Sequence, residues 1–148
     1  MLKVPLSLNR HHTEVSKLGS KYKTFNPFMI AEKMNVEIRY VDFDQQPLGQ
    51  ATSILGDKMI LLDDSLRDEN LRYFVAAHEL CHVVNHNELG GYYISHNYAK
   101  SKLEHEADYF AMVLLMSLYE ELFGEQPRQV FEVGHTFGLT TEHVSSFF

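Results

Sequence analysis

The spacing of apolar positions changes along the chain, and the changes divide it into elements. From Asn26 the pattern is helical: asparagine suits a cap, Pro27 suits the first helical position, and Phe28, Ile30, Ala31 and Met34 share one side before Asn35 closes the segment. Val36-Glu37-Ile38-Arg39-Tyr40-Val41-Asp42-Phe43 then alternates with period two, as a half-buried strand does. Pro47 and Gly49 mark a turn, Gln50 to Leu55 reads as a second strand, Gly56-Asp57 as a tight connection, and Lys58 to Leu62 as a third strand. These segments predict a small, mainly antiparallel sheet whose apolar face needs helices to cover it.

The second half of the chain returns to helical spacing. Ser65-Leu66-Arg67-Asp68 has the form of a cap with an acidic partner, which predicts a helix over Leu66 to Asn85. Ala76, Ala77, Leu80, Val83 and Val84 make that helix apolar on several sides, as expected at the centre of a domain. Asn87 to Lys100, with Gly90-Gly91 and Tyr92-Tyr93, reads as a loop or short extended piece. Ser101-Lys102-Leu103-Glu104 resembles a capping box opening a long helix through Leu122. Gly124 and Pro127 separate it from a helix near Arg128 to Phe137, and Gly138 leads to one more short helix capped by Thr140 or Thr141. The last two helices have the outline of a helix-turn-helix, but no basic recognition surface accompanies them, so a packing unit is expected.

Inside the central apolar helix lies His78-Glu79-Leu80-Cys81-His82. Residues four apart share one helix face, so His78 and His82 can offer two imidazole nitrogens to one ion, with Glu79 beside them to take a proton from water. Buried polar groups are costly when unpaired, and a metal supplies a reason for them to be there. Catalytic zinc commonly takes three protein ligands and keeps a position for water. The cluster Glu104-His105-Glu106-Ala107-Asp108 offers the third. Leu103, Ala107, Phe110, Ala111, Leu114, Leu115 and Leu118 define the inward face of the long helix, and Glu104 and Asp108 lie at its edge, whereas Glu106 falls on the polar side. Phase therefore favours Glu104 over Glu106, leaving Asp108 to hold a ligand histidine through its other ring nitrogen. His86, His96 and His105 are alternative donors, and Tyr92, Tyr93 and His96 are candidates to stabilise an oxyanion.

Charge and cysteine content narrow the setting. Thirteen basic and twenty acidic residues give a net charge of −7, which argues against broad nucleic-acid binding. The exception is the start of the chain, where Lys3, Arg10, Lys17, Lys21 and Lys23 predict a solvated basic arm over residues 1–24. Cys81 is the only cysteine, so no internal disulfide forms and a reducing, cytoplasmic setting is expected; in a variable slot of the motif it reads as a small buried filler. No apolar run reaches the length needed to span a membrane.

Taken together, Asn26-Pro27-Phe28-Met29-Ile30-Ala31-Glu32, Lys58-Met59-Ile60-Leu61-Leu62, Ala77-His78-Glu79-Leu80-Cys81-His82, Glu104-x-Glu106-Ala107-Asp108-Tyr109-Phe110-Ala111-x-x-Leu114-Leu115-Met116 and the ending Phe137-Gly138-Leu139-Thr140-Thr141-Glu142-His143-Val144 resemble the ImmA/IrrE family of metallo-endopeptidases. The resemblance covers most of the chain from Phe25 onward. It implies an α+β fold, with a small sheet against a zincin-like pair of long helices and short C-terminal helices, forming one domain over residues 25–148. It also implies an intracellular zinc endopeptidase that cuts or inactivates a helix-turn-helix transcriptional repressor, with no direct nucleic-acid or membrane contact. Carried onto this chain, the ligands are His78, His82 and the glutamate of the Glu104 cluster, with Glu79 as base. Ser117 stands where relatives commonly have proline, and the resemblance assigns no role to the basic arm. The alternative is a non-proteolytic, protein-binding regulatory module with a structural zinc, whose site would be closed by a fourth ligand.

Overall fold

In a computed structural model, residues 6–9, 11–85 and 97–148 are described. Their order is α1 (Leu6–Asn9), α2 (His12–Tyr22), α3 (Pro27–Lys33), β1 (Glu37–Val41), β2 (Gly49–Ile54), β3 (Asp57–Asp63), a 3-10 turn (Asp64–Leu66), α4 (Leu71–Asn85), α5 (Asn97–Phe123), α6 (Val130–Thr136) and α7 (Thr141–Ser145). The expected α+β architecture is present: a three-stranded sheet lies against α4, which packs along α5, and short helices close the C-terminal end.

Local chemistry explains the early elements. The Asn26 side chain accepts a hydrogen bond from the Phe28 amide with Pro27 inside the first turn, and Asn35 leaves α3 in the left-handed region at φ 60°. The sheet order is β1-β3-β2. β2 and β3 form an antiparallel hairpin, with Leu55-Gly56 as its two-residue turn, and β1 adds alongside β3 in parallel, Ile38 facing Ile60 and Tyr40 facing Leu62. One of the two pairings is thus parallel. The peptide between β1 and β2 is long enough to bring the hairpin back on the far side, which an alternation pattern does not reveal.

The fully buried side chains Ile60 and Leu62 of β3, Ala76, Ala77 and Leu80 of α4, and Phe110 to Leu115 of α5 form one continuous core. α5 is buried around its whole circumference over that stretch, so it is the central helix of the domain.

Three boundaries differ from the sequence reading. α4 begins at Leu71, and Ser65–Asp68 lies before it: Asp63, whose side chain accepts from the Ser65 amide, caps the separate 3-10 turn, so the Ser65–Asp68 pair does not open the helix. α5 is already helical at Asn97, which places Ser101-x-x-Glu104 inside it; the three-residue spacing of a capping box is also simply one turn of helix. The segment read as a basic arm contains α1 and α2, whose Leu8 and Val15 are buried in the main core. Gly19 on α2 lets the Phe25 ring lie against the helix backbone, since a Cβ there would stand 2.2 Å from it. Past Ser117, α5 runs on to Phe123, and Glu121 near its end accepts from Thr24 Oγ1 at 2.9 Å and from the Phe25 amide at 2.7 Å.

Candidate metal centre

α4 carries His78 and His82 one turn apart, and α5 passes beside them so that Glu104 reaches between the two rings. Glu104 Oε2 lies 3.1 Å from His78 Nε2, and Glu104 Oε1 lies 2.8 Å from His82 Nε2. One donor atom from each residue falls within a sphere of contact no wider than 4.8 Å. Two neutral imidazole nitrogens and a carboxylate oxygen are a chemically suitable set for a divalent ion of the zinc type. The fit extends outward: His78 Nδ1 is 2.7 Å from Asp108 Oδ1, which orients the ring and turns Nε2 toward the cluster.

The electrostatics of the chain by itself show the same convergence. Burial opposes protonation of His78, but hydrogen bonds to Asp108 and Glu104 outweigh it and push its pKa up to about 10. Hydrogen bonds from His78 and His82 pull Glu104 well below the usual carboxylate range. Imidazole and carboxylate bind a metal in their deprotonated forms, so an ion held by His78, His82 and Glu104 would compete with protons at these atoms.

Glu79 approaches the same His78 Nε2 from a different environment. It is 7% exposed, and burial pushes its pKa up. Its Oε1 accepts a hydrogen bond from the Ala51 amide of β2 at 2.8 Å, while Oε2 stands 3.8 Å from His78 Nε2. The structure therefore brings His78, His82, Glu104, Asp108 and Glu79 together.

Other candidates fall elsewhere. Glu106 is not in the cluster, and His105 is exposed. Cys81 is fully buried, and burial pushes its thiol up to about 12; its Sγ faces Asn85 Nδ2 at 3.6 Å. His86, Tyr92, Tyr93 and His96 lie outside the described residues. Sequence reasoning missed Gly49 and Ala51, which it assigned to a turn and a strand without reference to Glu79.

Residues 31–146 match the M78 peptidase family model, described as the IrrE N-terminal-like domain. The chain belongs to this family. A second similarity, 29% identical over 104 residues, is to "Uncharacterized immunity region protein 2" of Bacillus phage phi105, and it covers 69% of this chain and 65% of that protein. The matched region thus spans slightly under two thirds of the phage relative. In this IrrE-like chain, family membership and the histidine-histidine-glutamate cluster together support a metal-dependent hydrolase. Among the described residues, no helix is long and apolar enough to cross a membrane.

Proposed function

We propose that this chain is a zinc-dependent endopeptidase whose substrate is a helix-turn-helix transcriptional repressor. The observation that carries the enzymatic part is the placement of Glu79: a buried carboxylate with one oxygen held by a strand amide and the other turned toward the two-histidine, one-glutamate cluster. In this reading His78, His82 and Glu104 hold the zinc, and Asp108 fixes the orientation of His78. Zinc held there supplies, when bound, a lowered pKa for water and polarisation of the scissile carbonyl.

The chain's own part in the reaction is proton transfer. Glu79 Oε2 accepts the proton of the attacking water and delivers it to the leaving amine nitrogen. Burial raises its pKa, which makes the carboxylate a better proton acceptor than an exposed one. Three convergent donors among the described residues match a catalytic zinc site, in which water takes the remaining position.

The repressor assignment rests on the family's resemblance-derived role and is supported by the name of the phage relative, which ties that protein to an immunity region. The direct test incubates the purified, zinc-loaded chain with the repressor encoded beside it and reads cleavage by intact-mass spectrometry. New fragments that appear with the wild-type chain and not with Glu79→Gln support the proposal. A repressor that is bound but stays intact would instead favour a regulatory binding module.

A further inference from the structure

We propose that Gly49 and Ala51 of β2 are positioning residues for Glu79: the strand-edge amide of Ala51 holds one carboxylate oxygen, and the missing side chain at Gly49 leaves the other free to face the histidines. The inference rests on the reading of Glu79 as the base and extends it to the strand that sets its geometry.

The register of the hairpin supplies the first part. The Asp63 amide donates to the Leu48 carbonyl at 2.8 Å, and the pairing then runs Gly49 to Leu62, Gln50 to Leu61, Ala51 to Ile60, Thr52 to Met59 and Ser53 to Lys58. In an antiparallel ladder, residues alternate between bonding the partner strand and turning their amides away from it. Leu48, Gln50 and Thr52 therefore spend their backbone groups on β3, and Gly49, Ala51 and Ser53 direct theirs to the outer edge. β2 is an edge strand of the sheet, so this outer side is where α4 presents Glu79. The Ala51 amide donates to Oε1 at 2.8 Å, which leaves Oε2 toward His78.

Gly49 explains how the strand comes close enough. A Cβ at that position would stand 2.6 Å from Val75 Cγ1, 3.1 Å from Glu79 Cγ and 3.4 Å from Glu79 Oε2. Val75 lies one turn before Glu79 on α4. Any side chain at position 49 would thus wedge β2 away from α4 at the residue whose carboxylate it holds, and would crowd the oxygen that faces the cluster.

Ala51→Pro tests the amide directly. It removes the donor without removing a ladder bond, because proline is accommodated on an edge strand where its nitrogen faces away from the partner. Ser53→Pro makes the same change two residues along the same edge, beyond Glu79, and serves as the control for strand damage. The expected result is a kcat lower by on the order of 10²-fold for Ala51→Pro, as for a small misplacement of a reacting group. KM and zinc content should hold, and Ser53→Pro should retain the wild-type kcat. Gly49→Ala should lower kcat in the same direction. Combined with Glu79→Gln, neither change should reduce the residual rate further. Equal losses for both proline variants, or full additivity with Glu79→Gln, overturn the proposal.

A second measurement needs neither cleavage nor metal. In the zinc-free chain, the Ala51 amide should resist hydrogen exchange in the wild type and exchange at least tenfold faster in Glu79→Ala, while the ladder amides of Gln50 and Thr52 keep their rates. Unchanged protection at Ala51 would remove the hydrogen bond from the argument. If protection depends on Glu79 but Glu79→Gln still cleaves normally, it is the base assignment that fails.

Discussion

Two glutamates flank His78 and live in opposite surroundings. Glu79 sits in the seam between α4 and β2, 7% exposed, with a single backbone donor, and burial pushes its pKa up. Glu104 sits in the seam between α4 and α5 with its side chain 48% exposed and both oxygens against imidazoles, which pull its pKa down. The same side chain is thereby prepared for two kinds of work. A carboxylate kept charged by cations is suited to hold an ion, and one whose charge is disfavoured by burial is suited to exchange a proton. What separates them is the partner element: an edge strand on one side, a helix on the other.

The sharpest way to break this comparison is to neutralise each carboxylate. Glu79→Gln keeps the shape and removes the proton acceptor, so kcat for peptide cleavage should fall by about 10²- to 10⁴-fold while zinc stays bound. Undiminished cleavage would show that the buried carboxylate is not the base. Glu104→Ala should have the converse signature and weaken zinc retention by more than about 100-fold, beyond the range for losing a partner outside the ligand set. Glu106→Ala is the matched control, since Glu106 is outside the cluster. Competition with a chelator would rank the two variants, and a larger loss at Glu106 would reverse the assignment.

Asp108→Asn probes the α5 side more gently. It replaces a charged acceptor at His78 Nδ1 with a neutral one, and zinc affinity should drop by about tenfold, the lower end for a residue that orients a ligand. The zinc-free chain adds a pH test. His78 is raised from its ordinary 6.5 to about 10, so its contribution to stability is fully present below pH 6.5 and is lost as pH rises through about 10. Denaturation midpoints of the wild type should fall across that window, and Asp108→Asn should flatten the decline. A wild-type midpoint independent of pH there would mean that the imidazolium network does not form.

The two sides of the site also differ in how far the sequence discloses them. The spacing of His78 and His82 is local, and the apolar face of α5 fixes its rotation, so Glu104 rather than Glu106 is the residue brought to the histidines. The β2 side depends on contacts between remote segments. Gly49 reads as a turn residue because glycine's commonest use is conformational, whereas here it serves a close approach to Val75 and Glu79 on a helix more than twenty residues on. The parallel pairing of β1 with β3 is hidden for the same reason, since alternation specifies which face is buried and not which strand lies alongside. In α2, lysines on the open side obscured the burial of Val15 and Gly19 on the other. The start of α4 falls at Leu71 and not at Leu66, because the capping chemistry before it serves a separate 3-10 turn, Asp64–Leu66, closed by Asp63.

Asp63 offers the mildest test of how β2 is held in place. Its carboxylate accepts from the Phe43 amide at 2.8 Å, the Gln45 amide at 3.2 Å and the Ser65 amide at 3.0 Å, tying the peptide before β2 to the end of β3. Hydrogen bonding from Ser65 is the largest influence, and together these bonds lower its pKa from 3.8 to about 2. A depressed carboxyl pKa contributes stability that is present above pH 3.8 and disappears as pH falls toward 2. Asp63→Asn retains an acceptor but not the charge, so the denaturation midpoint should fall modestly near neutrality and the wild-type acid sensitivity in that window should diminish. Zinc content and kcat should hold, because Gly49 and Ala51 remain paired with Leu62 and Ile60 through β3 itself. A kcat loss as large as that of Gly49→Ala, at unchanged fold stability, would show that the turn rather than the ladder sets the approach of β2 to Glu79, and would move the origin of the buried carboxylate's geometry from the sheet to the peptide that enters it.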